Sequence, residues 1–159
     1  MIEDNKRSEC VNGCITLLLR LTVGLVFLTA GWGKIFGHDQ EGHLIFGVPG
    51  IAASITDQFK NTFLPTFTVQ LFSYTLPFAE VIIGALLLAG LFTAETFFAA
   101  ALLFITLMWG QILLANGEVA GRNALFVLIA TLGLRWSTAN CCSLDCWRKK
   151  KKESSEPVK

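Results

Sequence analysis

A single carboxylate inside an apolar run sets the chemistry this chain could do. Residues 75–91 read TLPFAEVIIGALLLAGL, and Glu80 carries their only charge. An ionised side chain at the centre of a bilayer costs about 2.5–3.5 kcal/mol by insertion scales, so such a group turns to the interior and takes a partner. Two cations offer themselves. Arg20 and Lys34 share a stripe with Gly24, Phe27 and Gly31, all within about 40° of one line down a helix. Pro77 lies one turn before Glu80 and has no amide to give to the Ser73 carbonyl. An acid flanked by cations in a dry site can accept a proton, or its cations can hold an anionic or easily reduced ligand. Glu80, Arg20 and Lys34 are therefore the candidate catalytic residues. The plainer alternative is a kinked helix with one structural ion pair.

Further polar groups on the apolar segments are Tyr74, Gln111, Arg122 and Asn123. Together with Arg20 and Lys34 they make a polar ladder through the membrane, and they are the candidate cofactor-binding residues. A quinone head group or a small sulfur oxyanion suits a net positive pocket. The five cysteines fall at positions 10, 14, 141, 142 and 146. Cys10 and Cys14 are four apart, as are Cys142 and Cys146, so each pair projects from one face if helical. Brought together, the four could hold zinc or an iron–sulfur cluster. The alternatives are reduced thiols, acylation sites or a dithiol redox pair.

The elements that position these residues are membrane spans. The chain has 159 residues, of which 53% are hydrophobic and 16% charged, with a mean hydropathy of +0.56. The apolar residues come in runs near the roughly 20 residues a bilayer requires, which a soluble domain of this size could not hide. Four spans are expected, at 14–36, 68–91, 95–115 and 120–138. The first run is longer than a signal-peptide core, and no cleavable signal peptide is expected. The expected fold is an all-α membrane protein, a four-helix transmembrane bundle over 14–138. A loose polar N-terminus (1–13) precedes it, and a basic cysteine-containing tail (139–159) follows. Ile51, Ile55, Phe59 and Phe63 recur every fourth residue, which predicts an amphipathic surface helix in the first loop. The basic run at 148–152 places both termini in the cytoplasm, and it suits a lipid surface rather than nucleic acid.

The stretches LLLRLTVGLVFLTAGWGKIFG, PFAEVIIGALLLAGLFT and AAALLFITLMWG resemble the DoxX family of four-helix membrane proteins, over roughly residues 14–136. The positions that carry the resemblance are Arg20, Gly31, Lys34, Pro77, Glu80, Gly84, Gly90 and Thr93; Ala94 departs from the basic residue common there. The resemblance implies a multi-pass protein of the cell (cytoplasmic, inner) membrane, linked to thiol, sulfur or quinone chemistry and to a soluble or membrane redox partner. By resemblance, the enzyme class it points to is a subunit of a membrane oxidoreductase of the thiosulfate:quinone type. Fold follows from such a likeness far more firmly than reaction does.

Three functions fit these residues. The first is a quinone- or sulfur-linked subunit of a redox complex, with Glu80 as proton acceptor. The second is a non-enzymatic accessory or assembly protein with a structural buried ion-pair network. The third is a small anion transporter, which with four spans would need a homo-oligomer to make a wide conduit.

Overall fold

The computed structural model describes residues 2–38 and 44–137, with side chains over 11–37 and 46–137. Five helices and one short hairpin account for most of it: α1 (Ile2–Ile35), β1 (Phe36–His38), β2 (Leu44–Phe46), α2 (Val48–Gln58), α3 (Thr66–Ala89), α4 (Thr93–Leu113) and α5 (Gly117–Trp136). Among the described residues, four helices are long and apolar enough to cross a membrane: Val11–Ile35, Thr66–Ala89, Thr93–Leu113 and Gly117–Trp136. The shortest of them has 20 residues and spans about 30 Å at 1.5 Å per residue, the thickness of a hydrocarbon core. The protein is thus a multi-pass helical membrane protein.

The helices pair off. α1 lies along α3, and α4 lies along α5. Small residues bring the first pair together. A methyl at Gly84 would stand 2.8 Å from the Gly24 carbonyl, and one at Gly31 would stand 2.8 Å from the Pro77 carbonyl. In lipid, such close backbone approach supplies the packing that the hydrophobic effect does not. The second pair meets at Gly133, where the Phe97 ring occupies the space of the missing side chain. Phe27 of α1 stacks on Phe104 of α4 at 4.4 Å, and Phe104 stacks on Phe126 of α5 at 5.0 Å, so aromatic rings join the two pairs.

Turn chemistry closes the spans. α3 ends at Gly90, whose φ of 69° is left-handed. The Leu91 amide returns to the Leu86 carbonyl at 3.1 Å and the Gly90 amide to the Leu87 carbonyl at 3.1 Å, a Schellman ending. The Thr96 hydroxyl donates back to the Phe92 carbonyl at 2.8 Å and fixes the first turn of α4. α5 starts at Asn116, whose side chain accepts the Val119 amide.

Two sequence expectations are corrected. Residues 2–13 are not loose, because α1 begins at Ile2. No proline interrupts this stretch. The first loop holds an antiparallel hairpin that pairs Phe36 with Phe46 and His38 with Leu44, which the sequence analysis did not anticipate. Three-residue strands carry no readable alternation. The expected loop helix exists as α2, but it stops at Gln58, short of Phe63. It buries Val48 and Ala52 and packs against α3. Residues 138–159, with Cys142 and Cys146, lie outside the described residues.

Candidate functional site

The α1–α3 contact builds the site. At Gly31 the helix backbone comes so near α3 that an added Cβ would meet the Glu80 Cβ at 2.9 Å. One turn further on, at the end of α1, Lys34 can therefore reach the carboxylate. Its Nζ lies 2.5 Å from Oε1 and 2.6 Å from Oε2 of Glu80. The Glu80 side chain is 2% exposed and that of Lys34 is 27% exposed. The acid is thus enclosed, and the ammonium is its link to the surroundings. Pro77 and Ser73 are both buried on the same helix, and the Ser73 hydroxyl donates to the Val69 carbonyl at 2.7 Å.

Arg20 stands elsewhere. It is 2% exposed, and its guanidinium donates through Nε to the Leu87 carbonyl at 2.9 Å and through Nη2 to the Leu88 carbonyl at 3.1 Å. These are among the last carbonyls of α3, where the regular helical ladder ends and a cation is well matched, and the Leu87 carbonyl is shared with the Gly90 amide. Leu87 lies about two helical turns from Glu80, so Arg20 caps the end of α3 and, among the described residues, it is Lys34 that meets the acid. Thr16, one turn before Arg20 on the same stripe, was missed by the sequence reading. Its hydroxyl lies 2.8 Å from the Trp136 carbonyl at the end of α5 and 3.0 Å from that of Asn12. The spacing 16, 20, 24 was the available signal.

The other candidates do not gather at the ion pair. Tyr74 is 41% exposed and faces α2 across a groove. Gln111 is half-buried near the end of α4, while Arg122 is exposed and Asn123 half-buried on α5. Among the described residues, no hydrogen bond connects Tyr74, Gln111, Arg122 or Asn123 to Lys34 or Glu80. Arg20, Lys34 and Arg122 therefore do not converge on one pocket. Cys14 is an exposed free thiol. The side chain of Cys10, like Cys142 and Cys146, lies outside the described residues, so the four-thiolate arrangement does too.

A family model described as methylamine utilisation protein MauE matches residues 13–123. The chain belongs to the MauE family. That match overturns the resemblance to DoxX proteins. The features that suggested it serve packing here: Gly31 and Gly84 permit close helix contact, Gly90 ends α3 and Arg20 caps it. Small membrane bundles of different families can need the same devices. The thiosulfate:quinone enzyme class rested on that resemblance and loses its support. No curated protein and no solved structure matches this MauE-family chain.

Proposed function

We propose that this protein is a non-enzymatic membrane accessory protein that supports a partner in an amine-utilisation system. The family description supplies the system. The observation that carries the accessory reading is how the interior polar groups are used. Both carboxylate oxygens of Glu80 are engaged by Lys34, and Arg20 is given to the end of α3. Among the described residues, no buried side-chain nitrogen or oxygen is left without a partner. Such an arrangement holds helices together and leaves little polar capacity for a substrate. The partner is a protein met at the membrane, and the basic run at 148–152 supports the reading in which it is met on the cytoplasmic side.

A paired replacement tests this. A buried ion pair can often be exchanged for apolar residues of similar volume with little loss. In cells dependent on this gene for growth on methylamine, Lys34→Met with Glu80→Met should accumulate near the wild-type level and sustain growth. Normal accumulation without growth would assign chemistry to the pair and overturn the accessory reading.

A further inference from the structure

At the Lys34 end of the bundle, α2 and the first half of α3 enclose an open groove of about 540 Å³. Ala52 and Ala53 line it on α2, where small side chains leave room, and Asp57, Lys60, Gln70 and Tyr74 supply its polar groups. Gln70 lies about 11 Å from the centre of α3 along the helix axis, against a hydrocarbon half-thickness of about 15 Å. The groove therefore sits at the boundary where hydrocarbon gives way to headgroups. Below it, Tyr74, Phe78 and Ile82 follow one another at four-residue spacing, all exposed, and form an apolar track down α3.

We propose that this groove binds the headgroup of an ethanolamine phospholipid, with one acyl chain on the Phe78–Ile82 track. The charges select the class. Asp57 and Lys60 form an ion pair with each other, and both are about two-thirds exposed. An exposed pair of this kind is held weakly, so a ligand carrying both charges can replace each partner. The phosphate takes Lys60, with Tyr74 and Gln70 as further donors, and the ammonium takes Asp57. One cation and one anion match a zwitterion better than a singly anionic headgroup. Asp57 also separates the two common zwitterions. A primary ammonium has N–H groups to give a carboxylate, whereas a quaternary ammonium has none and prefers an aromatic cage. Here Tyr74 is the aromatic residue that lines the groove.

Native mass spectrometry of the full chain, released from detergent with phosphatidylethanolamine, phosphatidylcholine and phosphatidylglycerol of identical acyl chains, reads the selection. Ethanolamine adducts should exceed the other two by about tenfold, the scale of one charge-assisted hydrogen bond. Asp57→Asn should bring ethanolamine adducts down to the choline level. Lys60→Ala with Tyr74→Phe should reduce both zwitterionic adducts. These side chains are exposed, so the fold does not depend on them. Glycerol adducts equal to or above ethanolamine adducts would overturn the assignment, as would ethanolamine retention unchanged in both variants.

Discussion

Gly84 lies so close to Leu28 that a methyl group on it would stand 2.7 Å from the Leu28 amide nitrogen. The obstructing atoms are backbone, so nothing flexible can yield. Gly84→Ala must push α1 away from α3, and with it Lys34 away from Glu80. The expected loss is about 1–3 kcal/mol, typical of overpacking, read as a lower unfolding midpoint in mixed micelles. Gly33 is the control. A methyl there meets nothing within 4 Å, so Gly33→Ala should leave the midpoint unchanged or slightly raised.

Removing one member of the buried ion pair should cost more than removing both. Lys34→Met leaves the enclosed Glu80 carboxylate without its ammonium, and Glu80→Met leaves the ammonium facing apolar side chains. Each single change should lose about 3–5 kcal/mol, with much of that recovered in the double variant. A double-mutant cycle on unfolding free energy measures the coupling. Simple additivity would show that the two side chains are not energetically linked.

Arg20 should matter to the end of α3 rather than to Glu80. Arg20→Met removes the donors to the Leu87 and Leu88 carbonyls, at a cost of about 1.5–3 kcal/mol for charged hydrogen bonds. Hydrogen exchange should quicken at the Gly90 and Leu91 amides, which close the same turn, and stay slow around Glu80. Arg20→Lys should recover only part of the protection, because an ammonium lacks the planar fork that meets two carbonyls at once.

The α4–α5 pair has a contact that can be relieved by design. A Cβ at Gly133 would come within 2.3 Å of the Phe97 ring. Gly133→Ala should therefore destabilise by about 1–3 kcal/mol. In a Phe97→Leu background the same change should cost clearly less, since the ring that obstructs it is gone. Equal costs in both backgrounds would mean that Phe97 does not set the spacing of these helices.

The spans were readable because apolar runs of bilayer length leave little choice of structure. The stripe of Arg20, Gly24, Gly31 and Lys34 was readable as well, since helical spacing alone puts it on one face. What those residues do was not. Arg20 and Lys34 look equivalent as letters, yet one ends at backbone carbonyls and the other at a carboxylate. That division depends on the height at which α3 stops, which Gly90 sets and no periodicity reveals. The hairpin escaped because three-residue strands are defined by their pairing. Family membership was misread because glycines, a proline and a buried acid record how helices pack, and packing needs recur across unrelated families.

The Gly47 amide bonds back to the Ile35 carbonyl at 2.9 Å, so the chain returns to the place it left before α2 begins. The strands Phe36–His38 and Leu44–Phe46 form an ear on the bundle, anchored at its base. Its length can drift, or accept an inserted epitope, without the change being transmitted to the register of the spans. That makes it the natural place to put a label when the buried parts must stay untouched.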